Sequence, residues 1–155
     1  MELVISELHL KKPPWTLRNK LIAEHLEPNK SVIDIGGGAG DILKYYKPSK
    51  YCNIDGMPVD NVDIILDLDS DYHLELEEGW DYSINSGILE WVKRVDYFLD
   101  KQKNLANNYI FTWHYDHLWG RMSFGRIESI INENYIINDT IPWGGKQKIY
   151  KCKAK

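Results

Sequence analysis

The chain has 155 residues, a formal charge of −4 and an aromatic-rich composition with six Trp and ten Tyr. That length suits one domain with a sizeable core, expected over 1–155 with an N-terminal cap segment and helix over 1–30, and the composition excludes a disordered chain. The acidic balance argues against nonspecific binding to nucleic acid or to a membrane surface. Pro13-Pro14 then precede a helix capped at Thr16, with Leu17, Leu21, Ile22 and Leu26 as its apolar stripe and Pro28 as its stop. Ser31 to Ile35 is a buried strand, followed by a glycine turn and a short helix from Asp41 to about Tyr46 that Pro48 closes. Tyr51 to Ile54 is a second strand ending at Asp55, Val62 to Leu66 a third, and Asp81 to Asn85 a fourth. Ile88, Leu89, Val92, Val95, Phe98 and Leu99 fall at helical spacing and predict a helix.

Tyr109 to Trp113 is a fifth strand, Ser123 to Asn132 a helix, and Tyr135 to Ile141 a sixth strand. Gly144-Gly145 turn the chain into a last strand, Lys146 to Cys152. Alternating strands and helices imply a mainly parallel, doubly wound α/β sheet with helices on both faces and a C-terminal antiparallel β-hairpin. One link is too short for a crossover helix: between Asp55 and Val62 an extended loop over the sheet is expected. The tail from Lys146 carries five lysines, read as a solvated last strand that guards a sheet edge. Cys52 and Cys152 match no metal or redox spacing and read as reduced core thiols. The N-terminus lacks a signal-peptide core and no apolar run approaches ~20 residues, so a cytoplasmic protein without a membrane span is expected.

The most informative stretch is Ser31-Val-Ile-Asp-Ile-Gly-Gly-Gly-Ala-Gly-Asp41. A β-branched run ends at a carboxylate and opens into Gly36, Gly38 and Gly40, so backbone N–H groups can approach a ligand closely. Asp55 follows the first glycine by about 20 residues, where a carboxylate can take both hydroxyls of a ribose. Asp34 either lines that ligand or caps the amides of the turn. The acidic run Asp67-Leu-Asp69-Ser-Asp71-Tyr-His73 reads as a solvated loop, with a metal site as the alternative.

From Ser31 onward these segments resemble the class I S-adenosylmethionine-dependent methyltransferases, which have a Rossmann-like fold. Asp34-Ile-Gly36-Gly-Gly38-Ala-Gly40 resembles the family's first motif, Asp55 its ribose-binding acid, and Val62-Asp-Ile-Ile-Leu-Asp67-Leu68 its third-strand segment flanking the adenine. Trp80 to Val92 resembles the fourth strand and the helix start of small-molecule members, with Trp91 where His is frequent. The resemblance implies S-adenosylmethionine as cofactor, held by Asp34, Gly36, Gly38, Gly40, Asp55, Gly56, Met57, Asp67, Leu68 and Asn85. The short link before Val62 is similar to a subgroup of sugar and surface-polysaccharide pathways. It implies O-methylation of a small-molecule acceptor, a sugar or polysaccharide precursor. Nicotinamide dehydrogenases fit less well, because the chain is too short for their catalytic domain and ends in a hairpin.

On the acceptor side, His114 follows the fifth strand directly, in the cluster His114-Tyr-Asp-His117-Leu-Trp-Gly-Arg121. His114, or less readily His117, is the candidate base for an alcohol acceptor. Arg121 either binds an anionic acceptor or forms a surface ion pair, and Tyr115 and Trp91 are candidate acceptor contacts. Trp15, Trp91, Trp113, Trp119 and Trp143 either wall the acceptor pocket or pack the core and rim. Asn85-Ser-Gly-Ile88 departs from the Asn-Pro-Pro-Tyr element of enzymes that methylate nucleic-acid bases, which argues against that substrate. The compact chain leaves two further readings: a methyltransferase-fold binding or scaffold subunit acting with a partner chain, or an enzyme whose acceptor pocket is completed by dimerisation.

Overall fold

The computed structural model describes residues 14–113, 123–144 and 147–155. Helix α1 covers Pro14–Glu24, and β1 (Ser31–Ile35) leads through the glycine turn into a 3₁₀ turn at Asp41–Lys44. There follow β2 (Lys50–Asp55), β3 (Ile64–Ile65), a second 3₁₀ turn (Tyr72–Glu75), β4 (Trp80–Ser86) and α2 (Val95–Lys101). The chain continues with β5 (Ala106–Thr112), α3 (Phe124–Asn134), β6 (Tyr135–Gly144) and β7 (Gln147–Ala154). All strands join one seven-stranded sheet in the order β3-β2-β1-β4-β5-β7-β6. Strands β1 to β5 pair in parallel, and β7 is antiparallel to both β5 and β6. The chain builds outward from β1 to β3 and then starts again on the other side with β4. The switch therefore falls between β1 and β4, where the diverging carboxyl ends of neighbouring strands open a crevice.

Successive strand residues face opposite sides of the sheet, and each side has its own cover. Ile33, Ile35, Ile54 and Phe111 pack with Phe98 and Leu99 of α2 and Ile127, Ile130 and Ile131 of α3. On the other face Val32, Ile84, Ile110 and Ile149 pack with Ile22 of α1, Leu26 just beyond it, and Ile42. Helix α2 has seven residues, too few to hold itself by its own hydrogen bonds. Tyr72, Tyr135 and Tyr109 hold it, donating buried hydroxyls to the carbonyls of Phe98, Leu99 and Gln102 at 2.7, 2.6 and 2.5 Å. These lie at the helix end whose carbonyls lack partners within the helix. The Gln102 side chain closes a ring beneath β4: Ser83 Oγ donates to its Oε1 at 3.1 Å, its Nε2 donates to Asn85 Oδ1 at 3.0 Å, and Asn85 Nδ2 donates to Ser83 Oγ at 3.1 Å.

Several expectations are corrected. Residues 88–94 are irregular, with a turn over 89–91, and the helix begins only at Val95. Gly87 takes a left-handed φ of 68°, and the Asp69 carboxylate accepts the Lys93 N–H at 2.6 Å, so this amide is drawn away from a helical ladder. Leu89 and Val92 are buried all the same, so their spacing reported burial rather than helix. The first helix starts at Pro14 rather than after a Thr16 cap, and of its stripe Ile22 and Leu26 are buried while Leu17 is exposed. The third strand shrinks to Ile64–Ile65, yet it pairs in parallel with β2 across an extended loop, as the short link requires. The lysine-bearing last strand does not guard an edge. β7 lies between β5 and β6, and β6 is the edge strand. The hairpin folds back so that its second strand meets β5, and Lys151 Nζ reaches the His25 carbonyl at 3.0 Å. Cys52 and Cys152 are free thiols, and burial pushes Cys152 up to about 12.

Gln102→Leu removes the amide that links Ser83 and Asn85 in a fully buried ring and puts a slightly shorter apolar side chain in its place. Urea unfolding should show a loss of about 2–5 kcal/mol, from stranding the Ser83 hydroxyl and the Asn85 carbonyl. A loss below ~0.5 kcal/mol would mean that the ring is not formed.

Candidate functional site

The carboxyl ends of β1, β2 and β4 meet at the glycine turn. Gly36, Gly38 and Gly40 all have positive φ, at 71°, 54° and 73°. Gly37 is required for a different reason. A Cβ there would stand 2.3 Å from Asn53 Oδ1 and 2.6 Å from Asp34 Oδ2, so only hydrogen fits. Gly36 lies against Ile88, whose Cδ1 would come within 2.8 Å of an added Cβ, so the turn after β4 seats directly on the first motif. At Gly38 an added Cβ would meet nothing within 4 Å among the described residues. The turn is therefore braced from below and on its β4 side, and is open at Gly38.

Asn53 is the brace. Its Nδ2 donates to the Gly38 carbonyl at 2.8 Å and to the Asn61 carbonyl at 2.9 Å, tying the glycine turn to the loop after β2. The Asn53 backbone N–H donates to Asp63 Oδ2 at 2.8 Å, which anchors the far end of that loop. Sequence reasoning missed Asn53. The available signal was a polar residue inside a strand between Cys52 and Ile54, fully buried in the fold.

Asp55 sits half-buried at the end of β2, with Oδ2 accepting the Gly38 N–H at 2.9 Å and Oδ1 accepting the Met57 N–H at 2.9 Å. Each carboxylate oxygen accepts two hydrogen bonds, so each retains a lone pair beyond these. Gly56 and Met57 continue as an exposed turn beside the carboxylate. Asp34 is buried and accepts the Tyr51 hydroxyl at 2.8 Å. Burial pushes its carboxyl up to about 6, against the pull of the Tyr51 hydrogen bond and the Arg18 guanidinium, while Asp55 adds repulsion. Arg18 of α1 reaches the same place from the other side. Its Nη1 lies 3.0 Å from the position of a Gly87 Cβ, and burial lowers it to about 10 against the pull of Glu90 and Asp34.

Asp67 and Leu68 begin the turn after β3. Asp67 Oδ1 accepts the Asp69 N–H at 3.0 Å, and Leu68 is buried in the core. The acidic run carries structural partners: Asp69 accepts the Lys93 N–H, and Asp71 accepts the Tyr97 hydroxyl. No group of three or more metal-ligating side chains occurs among the described residues. Asn85 ends β4 at the crevice, and its side-chain amide is bound in the buried ring with Ser83 and Gln102. Trp91 is exposed in the turn after β4, whereas Trp113 and Trp143 are core residues. His114, Tyr115, His117, Trp119 and Arg121 lie outside the described residues.

No family model and no curated protein sequence matches the chain. Solved structures share its fold. A TehB-like SAM-dependent methyltransferase from Corynebacterium glutamicum superposes with a TM-score of 0.70 at 13% identity, over 90% of this chain and 88% of that one. A 1,6-didemethyltoxoflavin-N1-methyltransferase from Burkholderia thailandensis, solved with S-adenosylhomocysteine, gives 0.66 at 12% identity over 99% and 86%. The pyocyanin biosynthetic protein PhzM gives 0.68 at 11% identity over 90% of this chain and 55% of its own. The chain spans 41% of EvdMO1, a further structure of this fold. What the chain shares with these proteins is the architecture of the SAM-dependent methyltransferases. No helix among the described residues is long and apolar enough to cross a membrane.

The Asp34 carboxyl carries a pH signature. Its folded pKa of about 6 lies above the ordinary 3.8, so the folded state binds the proton more tightly. Its stability contribution is fully present below pH 3.8 and is lost as pH rises through 6. Asp34→Asn should remove that loss. Between pH 4 and 7 its unfolding free energy should gain on the wild type by on the order of 2–3 kcal/mol in denaturant titrations. Parallel profiles for the two proteins would mean that Asp34 ionises as an ordinary carboxylate.

Proposed function

We propose that the chain is an S-adenosylmethionine-dependent methyltransferase for a small-molecule acceptor. The observation that carries this reading is the junction of Asp55 and Gly38 at the crevice of the sheet. There a carboxylate with lone pairs to spare stands beside a turn that is open where a Cβ would project. Those residues fit the donor. Asp55 takes the ribose diol, Gly36, Gly38 and Gly40 let the backbone approach the methionine half, and Asp34 sets the polarity beneath it. Met57, Gly56, Asp67 and the Leu68 backbone flank the base, and Asn85 serves through its backbone position at the end of β4. When bound, the donor supplies an electrophilic sulfonium methyl group for a single in-line displacement. The protein's share is then mostly orientation, which is worth up to ~7–11 kcal/mol of the barrier.

The acceptor is a hydroxyl of a sugar or surface-polysaccharide precursor, a reading that rests on the resemblance of the short link before Val62 to that subgroup. His114, with His117 as the alternative, accepts the proton. Tyr115, Arg121 and Trp91 contact the acceptor, and a second copy or a partner chain completes the pocket. The chain works as a single unit over 1–155, with 1–30 as its cap, in the cytoplasm.

Calorimetric titration should give micromolar binding of both S-adenosylmethionine and S-adenosylhomocysteine. Asp55→Ala should weaken both by roughly tenfold to a hundredfold, the worth of one or two charge-assisted hydrogen bonds, with the circular dichroism spectrum retained. Gly38→Ala places a methyl group in the open side of the turn at φ 54°. It should cost about 1–2 kcal/mol of stability and a larger factor in donor affinity. Folded wild-type protein that binds neither compound would end the methyltransferase reading.

A further inference from the structure

The α1 face of the sheet holds a cavity at the opposite edge from the donor crevice. Helix α1 ends at Glu24, and the chain passes the amino edge through residues 25–30 before it enters β1. Between that passage and the β6–β7 hairpin a cavity of about 200 Å³ remains. Register partners share a face of the sheet, and they place its lining. Ile110 of the buried α1-face layer pairs with Lys151, and Lys151 pairs with Asp139. Tyr82 and Asn108 are partners as well, two residues nearer the amino edge than Ile84 and Ile110. Tyr82 stands four residues before Ser86, roughly 13 Å along the strand, so the cavity is separate from the donor crevice.

Lys151 is the half-buried cation of this cavity. Its Nζ donates to the His25 carbonyl, just beyond the end of α1, at 3.0 Å. An ammonium carries three protons, so two remain, and Lys151 forms no ion pair among the described residues. Its register partner Asp139 instead accepts the Thr140 N–H at 2.8 Å. Tyr82 is buried and accepts the Glu27 N–H at 3.4 Å, and its own hydroxyl proton meets no acceptor among the described residues. Asn108 is half-buried, and its Nδ2 donates to the Asp81 carbonyl at 3.2 Å with a second proton to spare. The interior of the cavity is thus a set of donors. Its rim carries the exposed carboxylates of Glu27 and Asp139, the first 3.6 Å from Lys30. A bulge at Asn138 sets this rim, since the register shifts between Ile137 and Asp139 and a bulge re-aims the side chains beside it.

Donors inside and carboxylates at the mouth select the ligand. An ammonium without a counter-ion, beside a phenol with a proton to give, takes a carboxylate through charge-assisted hydrogen bonds. The rim carboxylates repel a ligand that is only an anion and attract a cation. A molecule that carries both charges satisfies both ends. Sites for drug-sized ligands measure ~300–1,000 Å³, so a cavity of about 200 Å³ suits a ligand of fewer atoms. We propose that this cavity binds a small zwitterionic amino acid, its carboxylate on Lys151 and Tyr82 and its ammonium toward Glu27 and Asp139. The site lies at the edge of the sheet away from the donor crevice and is independent of the methyltransferase reading.

The side-chain amide of Asn108 reports the cavity. In ¹H–¹⁵N spectra of the full chain, with that signal assigned through Asn108→Ala, L-serine should shift it saturably at millimolar concentration. Propionate and ethanolamine, which each carry one half of the zwitterion, should bind about threefold or more weakly than L-serine. The double variant Glu27→Gln, Asp139→Asn should weaken L-serine about threefold or more, the worth of an exposed ion pair, while propionate binds as to the wild type or more tightly. Both positions are exposed and Lys151 keeps its bond to His25, so the circular dichroism spectrum should be retained. Absence of a saturable shift, equal binding of either half-probe, or undiminished L-serine binding by the double variant would each overturn the proposal. So would loss of the L-serine shift under saturating S-adenosylhomocysteine, which would move the amino acid to the donor crevice. Failure of S-adenosylhomocysteine to bind, with the Asn108 response intact, would instead sink the methyltransferase reading alone.

Discussion

The hydrogen bonds of one buried amide hold the candidate site together. Asn53 ties the Gly38 carbonyl to the Asn61 carbonyl, and its Oδ1 presses on Gly37 so closely that no side chain fits there. The glycine turn can follow β1 without a helix of its own to stiffen it, because β2 supplies the support through this side chain. Asp55, two residues further along β2, then accepts the Gly38 N–H. Two residues of one strand thus fix the turn that ends its neighbour, and the parallel register of β1 with β2 fixes both.

A second consequence is how little helix the architecture needs. Between β1 and β2 there is one 3₁₀ turn, and between β2 and β3 only a loop. Where a crossover helix would normally bury the sheet, the chain uses polar anchors instead: Asp63 on the Asn53 amide, Asp69 on the Lys93 amide, and Asp71 on the Tyr97 hydroxyl. The acidic residues between β2 and α2 are in this sense structural. Helix α2 is short for the same reason and is held by tyrosine hydroxyls and by the Gln102 ring rather than by its own length.

The two faces of the sheet end differently at the carboxyl edge. On the α2–α3 face the polar groups of Ser83, Asn85 and Gln102 satisfy one another, so that side is closed and rigid. On the α1 face the hydroxyls of the register partners Ser86 and Thr112 are buried and have no hydrogen-bond partner among the described residues.

Local chemistry determined a good part of this protein. The β-branched run 31–35, the glycines after it and the acid at Asp55 specify strand, turn and carboxylate with no reference to distant residues, because backbone sterics and strand propensity act locally. Ser123 likewise caps α3 through its own hydroxyl, which accepts the Arg126 N–H. Tertiary structure decided what depends on partners far along the chain. Leu89 and Val92 have helical spacing but sit in irregular chain, since Gly87 and the Asp69 carboxylate override a weak helical preference. The last strand looks like an edge and lies inside the sheet, since hairpin orientation is set by which strand finds β5. Asn53, Arg18 and Gln102 acquire their importance only from neighbours that folding brings to them. Hydrophobic periodicity records which residues are buried, whereas a polar residue's role is set by the single atom it meets, and no local pattern encodes that meeting.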